Sequence, residues 1–373
     1  MSVTDGGDRG VASFDATPVI GRNVHSALES TGWMASLGLP PGVIERVLES
    51  CDEFSERIWI IDNSGSMSTS DGHRLAQDAK DRDCMVACSR WEELADSLRF
   101  HAQLAAKLRA PTQFRALNPP CGGAPQVVRV GYPDGDEAAE IESMEALLRS
   151  GPRGRTPLCE ALSAIVSSKR REGGRHRFVL IVASDGASTD GKVGPVMAPL
   201  RELSCWTVVR LCTDDSSVVE YWNAVDEELE LDMDVLDDLA GEAAEVAAAG
   251  NAWLNYGLPL HRLREWGTSR KIIDILDERA LTLSEVREFV ALLLGAALAG
   301  ELPHPQLEGV GAFNEALRAA LESTQIVYNP VARRRAPWID LASIARAGRR
   351  EMLANNAVAL TCGGSARSSC AIC

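Results

Sequence analysis

Residues 57–73 read RIWIIDNSGSMSTSDGH, and the passage from apolar to polar within them decides the fold. RIWII (57–61) is a short continuous apolar run, which reads as a strand buried on both faces. It drives into Asp62, and hydroxyls follow at alternate positions, Ser64 and Ser66, around Gly65. A second stretch has the same form: HRFVLIVASDG (176–186) stays apolar until it stops at Asp185. In an open α/β sheet, ligands sit beyond the carboxyl ends of the strands, so two buried strands ending in carboxylates locate a candidate site.

The segments around these strands alternate. Ser89 and Glu92 have capping-box spacing and open a helix in CSRWEELADSLRFHAQLAAKLRAP, with Trp91, Leu94, Leu98, His101, Leu104 and Leu108 on one face and Pro111 as its stop. TQFRAL (112–117) and QVVRV (126–130) are strand candidates, EAAEIESMEALLRS (137–150) an amphipathic helix, and GPRGRTP (151–157) a loop before the helix LCEALSAIVSSKRR. GPVMAPLREL reads as helix and CWTVVRLCT (205–213) as strand. This order predicts an α/β fold with a doubly wound, mostly parallel, Rossmann-like sheet. From about residue 216 onward the pattern reads as helix only, including TLSEVREFVALLLGAAL with a capping box at Thr282 and Glu285. The expected organisation is a disordered N-terminus (1–23), a helical lead-in (24–52) broken at Pro40-Pro41-Gly42, an α/β domain (53–225), an additional α-helical C-terminal region (226–350) and a flexible tail (351–373).

Composition narrows the function. A formal net charge of -15 over 373 residues argues against a nucleic-acid binder, which needs clustered Lys and Arg. The charge is uneven: residues 333–373 carry seven Arg against Asp340 and Glu351, a net +5 that leaves -20 for the rest. A solvated helix face accounts for those arginines; a basic end facing an anionic surface is the alternative. The N-terminus has no basic segment followed by an apolar run, and FVALLLGAALAG (289–300) is too short to span a bilayer. The expected location is therefore cytoplasmic and not secreted, with the ten cysteines as thiols.

If the two Asp-ended strands lie side by side, Asp62 and Asp185 face one another, and like charges that close raise each other's pKa or recruit a cation. Ser64, Ser66 and Thr156 would complete a hard-oxygen set. With these residues in view, the region from about 53 to 225 resembles the von Willebrand factor A domain, the integrin I-like fold. The pattern of that family's metal-ion-dependent adhesion site is matched by Asp62, Ser64 and Ser66 in DNSGS, Thr156 in GRTPL and Asp185 in SDG. The stretch from GLPPGVIERVLESC through RIWIIDNSGSM is similar to intracellular proteins of single-celled eukaryotes that carry this domain. The resemblance implies that the first and fourth strands are neighbours. It implies that Ser64, Ser66 and Thr156 touch the metal, while Asp62 and Asp185 act mainly through water or serine hydroxyls. Few protein ligands and several waters suit Mg²⁺. The plainer reading of the same positions is a polar strand end with capping serines.

Other features bear on the site or on localisation. Residues 67–90 form an insert before the helix where the family enters its first helix sooner, a candidate lid, partner-selecting loop or decoration. Within it, Asp71, His73, Asp78, Asp81 and Asp83 are candidates to modify the site. Cys84 and Cys88, with His73 or His101, form a weaker zinc reading against buried thiols. The end, Cys370-Ala371-Ile372-Cys373, is similar to a prenylation signal, with Cys362 as a second acylation candidate and peripheral membrane attachment as the consequence. A disordered tail with incidental cysteines, or a C-x-x-C pair, are the rival readings. Core packing is the expectation for Trp206, Trp222, Trp253, Trp266 and Trp338.

The expected function is a non-enzymatic, Mg²⁺-dependent protein-binding or scaffold module, whose protein partner donates an acidic side chain to the metal. One alternative is an interaction subunit of an ATPase-linked assembly. The other is a metal-dependent hydrolase using Asp62, which would need a phosphate cradle or an added acid or base; the sequence offers no Gly-rich P-loop and no His-rich cluster.

Overall fold

Strand β1 (Glu56–Ile61) is buried along its whole length, and its side chains divide between two cores. Trp59 and Ile61 join one apolar cluster, Ile58 and Ile60 the other. That period of two is what a strand with helices on both faces requires. In this computed structural model, residues 24–346 are described, apart from 175, 214, 230 and 323. The 1–23 segment and the lipidation candidates Cys362 and Cys370 lie outside the described residues.

Beyond β1, the strands are β2 (Gly72–Gln77), β3 (Asp83–Cys88), β4 (Thr112–Ala116), β5 (Val127–Val130), β6 (Phe178–Ser184), β7 (Cys205–Leu211), β8 (Met233–Leu236), β9 (Val327–Asn329) and β10 (Arg334–Ala336). Six of them form the central sheet in the order β5-β4-β1-β6-β7-β8. All pairings in it are parallel except β4 with β5. The chain winds outward from β1 to one edge, returns to β6, and winds to the other edge. The order reverses between β1 and β6, the topological switch point of a doubly wound sheet.

One face carries the helix Arg90–Leu108, whose capping box at Ser89 and Glu92 is made and whose apolar stripe is buried as its spacing predicts. The same cluster takes in the helices Pro41–Glu53, Leu258–Glu265, Leu283–Leu294 and Val310–Leu321. The opposite face is covered by the helices Leu158–Arg171, Val193–Met197 and Ser216–Leu229. Arg57 heads the apolar run yet is only 1 % exposed. Its guanidinium lies 3.9 Å above the Trp266 ring and donates to the Trp266 carbonyl and to Ser50, which ties β1 to two covering helices. Among the tryptophans expected in the core, Trp222, Trp253, Trp266 and Trp338 are buried and Trp206 is partly so.

One expectation is corrected. The chain after residue 216 is not helical throughout. β8 completes the sheet as an edge strand, and β9 and β10 pair as an antiparallel hairpin. β8 is only four residues long and carries Asp234 mid-strand, 6 % exposed, so a buried acid breaks the apolar run by which strands are recognised. The insert after Ser66 is a β-hairpin, β2 pairing antiparallel with β3. Its turn is held by the Asp78 carboxylate, which accepts from the Lys80 and Arg82 backbone N–H groups at 2.8 and 3.0 Å. Its strands are mostly half-buried or exposed, and neither keeps a buried face at alternate positions, so no alternation marks them. Arg335 on β10 donates to Asp83 on β3 at 2.7 Å, so the two hairpins meet. The seven described cysteines are free thiols, and no described helix is long and apolar enough to cross a membrane.

Candidate metal centre

Parallel pairing in register brings the two Asp-ended strands together. Ile61 pairs with Ala183, and the Asp62 N–H donates to the Ala183 carbonyl at 2.9 Å. Asp62 therefore emerges beside Ser184, whose hydroxyl donates to Asp62 Oδ2 at 2.6 Å, and Asp185 stands one residue further. Asp62 Oδ1 accepts from the Ser64 N–H at 2.8 Å, which turns the chain back over the strand end. The Ser64 and Ser66 hydroxyls are 2.9 Å apart, and Ser66 Oγ donates to Asp185 Oδ1 at 2.9 Å. A chain of hydrogen bonds thus runs from Asp62 through both serines to Asp185 across the switch point.

Thr156 arrives on the third loop. The Gly65 N–H donates to the Gly154 carbonyl at 3.2 Å, and the Arg153 N–H donates to the Asn63 carbonyl. The Thr189 N–H donates to the Thr156 carbonyl at 2.9 Å, and the Thr156 N–H to the Thr189 hydroxyl at 3.2 Å. The Gly151–Pro157 loop is thereby pinned to the ends of both strands, with Thr156 6 % exposed. Gly154 is required there. Its φ is +81°, and a Cβ would lie 2.7 Å from Asn118 Cγ. The helix that follows has Pro157 as N-cap, which offers no side-chain acceptor; Asp190, from beyond β6, accepts from the Cys159 and Glu160 N–H groups instead.

The electrostatics suit a cation. Asp62 is fully buried, and burial holds its carboxyl above the usual range. Hydrogen bonds from Ser184 and Ser64 pull it back, and the charge of Asp185 adds to the rise. Cys212, behind the site, is pushed up to about 12 by burial and remains a thiol. The donors gathered here are hydroxyl and carboxylate oxygens, a set that fits a hard divalent cation such as Mg²⁺. A cation already touches the set: Arg90 Nη1 lies 2.9 Å from Asp185 Oδ2.

Sequence reasoning missed Arg90, Asn63, Asn118 and Ser184. Asn63 Nδ2 donates to the Asn118 carbonyl at 3.0 Å, its Oδ1 accepts from the Asn118 N–H at 2.8 Å, and Asn118 Nδ2 reaches the Arg155 carbonyl at 2.7 Å. These two amides fasten the loops after β1 and β4 to the loop that bears Thr156. Arg90 did leave a signal. A cation in the first turn of a helix opposes the helix dipole, and such a local misfit marks a residue placed for another purpose.

Of the insert's acids, Asp71 bears on the site, through Arg90, and Asp78 and Asp83 serve the turn and the hairpin contact. Cys84 and Cys88 lie on β3 and belong to no group of three or more metal-ligating side chains among the described residues. One such group does occur, away from the switch point. Glu242, Glu245 and Asp277 bring one carboxylate oxygen each within 4.8 Å of one another and could hold a metal ion. Arg264 already neutralises part of that cluster, donating to Glu242 and, at 2.9 Å, to Asp277. No protein-family model and no curated protein matches the chain.

Proposed function

We propose that this chain is a non-enzymatic, Mg²⁺-dependent protein-binding module of the von Willebrand factor A type, with Asp62, Ser64, Ser66, Thr156 and Asp185 as its metal-ion-dependent adhesion site. One observation carries the reading. Asp62, Ser64, Ser66 and Asp185 form a continuous hydrogen-bonded chain across the switch point, and the Thr156 loop is fastened beside it.

In this reading the serine and threonine hydroxyls hold the ion directly, and the aspartates orient those hydroxyls and supply charge. The bound ion offers an electrophilic open position to a carboxylate oxygen of a partner protein. Asp62 has both oxygens engaged and no exposure, which favours an orienting role over that of a nucleophile. Partners of an ATPase-linked assembly fall within the same reading, since they would dock through the same ion.

Calorimetric titration of the purified chain with Mg²⁺ tests it. Saturable binding is expected in the wild type, with loss in Asp62→Ala and weakening in Ser66→Ala. Equal heats from the wild type and Asp62→Ala would remove the site. Pull-down with and without EDTA then identifies partners that depend on the ion.

A further inference from the structure

Arg90 lies at the N-terminal turn of the helix Arg90–Leu108 and holds two carboxylates at once. Its Nη1 is 2.9 Å from Asp185 Oδ2, and its Nε is 2.7 Å from Asp71 Oδ1, with Nη2 on the second Asp71 oxygen. The Arg90 side chain is 15 % exposed and the Asp185 side chain 2 %. Asp71 sits directly before β2, at the base of the insert hairpin, and its side chain is 36 % exposed. The Arg90 N–H also donates to the Thr69 carbonyl at 3.0 Å, which fixes the helix start against the Ser66 turn.

We infer that Arg90 is a built-in counter-cation of the metal centre: its guanidinium competes with a divalent ion for Asp185, and the Asp71–Arg90 clamp sets how much ion is needed to load the site. This rests on the metal-centre reading of the five residues. Counted formally, Asp62, Asp185 and Asp71 bring three negative charges against the one positive charge of Arg90, and all three carboxylates accept hydrogen bonds. Two negative charges are thus left for a divalent ion to neutralise. The same guanidinium repels that ion, because both press on Asp185 in a buried, weakly screened setting. When the ion, through its bound water and the Ser66 hydroxyl, draws on the charge of Asp185, the arginine has a second carboxylate to retain it. Asp71 keeps the released charge from being stranded, which would otherwise oppose loading.

Mg²⁺ titrations of four folded variants, followed by calorimetry, separate the possibilities. Arg90→Gln removes the competitor and is expected to bind Mg²⁺ at least about tenfold more tightly than the wild type. Arg90→Lys keeps the charge and should stay near the wild type. Asp71→Asn leaves Arg90 with Asp185 as its one ion-pair partner among the described residues, and should bind several-fold more weakly. Asp62→Ala should not bind saturably. A merely structural arginine predicts no gain in Arg90→Gln, so the opposite signs of Arg90→Gln and Asp71→Asn are the signature of competition. If the wild type binds, Asp62→Ala does not, and Arg90→Gln is unchanged or weaker, the inference about Arg90 is overturned while the metal centre stands. If neither the wild type nor Arg90→Gln binds Mg²⁺, the metal centre itself falls, and the inference with it. Saturable binding in Arg90→Gln alone supports a latch strong enough to exclude the ion from the wild type.

Discussion

Replacing Gly42 by alanine sets two physical effects against each other. Gly42 lies in the first turn of the helix Pro41–Glu53, where the helix crosses Leu283–Leu294. A Cβ there would lie 2.7 Å from the Gly295 nitrogen and 2.8 Å from the Leu292 carbonyl carbon, with the Leu292 oxygen nearer still. Ordinary contact begins at 3.4 Å, and the obstacles are backbone, which cannot rotate away. The helices would have to part by on the order of 1 Å, enough to forfeit a quarter to a half of the dispersion energy at that contact. Val43, Ile44 and Val47 on one helix, and Phe289, Val290 and Leu293 on the other, lie in the cluster that would loosen. Overpacking of this kind costs about 1–3 kcal/mol, against a helix-propensity gain of at most about 1 kcal/mol. Net destabilisation is expected. Gly32, in the helix Val24–Ser36, has nothing within 4 Å of its would-be Cβ, so Gly32→Ala should stabilise by up to about 1 kcal/mol. Urea denaturation reads both as shifts of the midpoint at constant slope. If Gly42→Ala is as stable as Gly32→Ala, the helices 41–53 and 283–294 do not cross as described and the lead-in does not belong to the main core.

Two further predictions concern the buried charges. Arg264→Met leaves Asp234, Glu242 and Asp277 without the guanidinium they share, and should cost about 3–5 kcal/mol in the same urea assay. Burial, the largest influence, raises the Glu242 carboxyl above its ordinary 4.5 although Arg264 pulls it back, so above that pH the folded chain holds a proton more tightly than the unfolded chain. Stability should therefore fall as pH rises above the ordinary carboxylate range, and Glu242→Gln, neutral throughout, should flatten the slope.

Much of the architecture was legible because β1 and β6 are runs of buried apolar residues, a pattern few other environments produce. The capping boxes at Ser89 and Thr282 were legible for a similar reason: both partners lie three residues apart in the chain. Adjacency is a different kind of fact. Nothing in the local pattern says that Asp62 will stand beside Ser184; that follows from β6 pairing with β1, a choice made by the whole sheet. The five proposed ligands could be named because they resemble a known spacing, whereas Arg90 matched none: its place in the first helical turn marks a misfit, and its two distant carboxylates give the reason.

The helix Leu258–Glu265 shows why the C-terminal half resisted reading. Its residues LPLHRLRE include His261, Arg262, Arg264 and Glu265, which by composition belong on a solvated face, yet residues 259–265 are all buried. Each charge is answered from elsewhere in the chain. Arg264 reaches Asp234 on β8 and Glu242, and Arg262 reaches Asp96. Glu265 accepts from Ser97, His101, Arg210 and Arg262, and hydrogen bonds and positive charges hold its carboxyl well below the usual range despite burial. Apolar periodicity registers burial paid for by the hydrophobic effect and is blind to burial sustained by ion pairs between distant residues. Arg210 also reaches Glu93, and Glu93 accepts from the His73 N–H of the insert hairpin at 2.9 Å. One polar network therefore joins the helix Leu258–Glu265, the sheet and the hairpin that stands beside the proposed metal centre. Removing a charge from that network should loosen the hairpin as well as the helix, because the same guanidinium serves both.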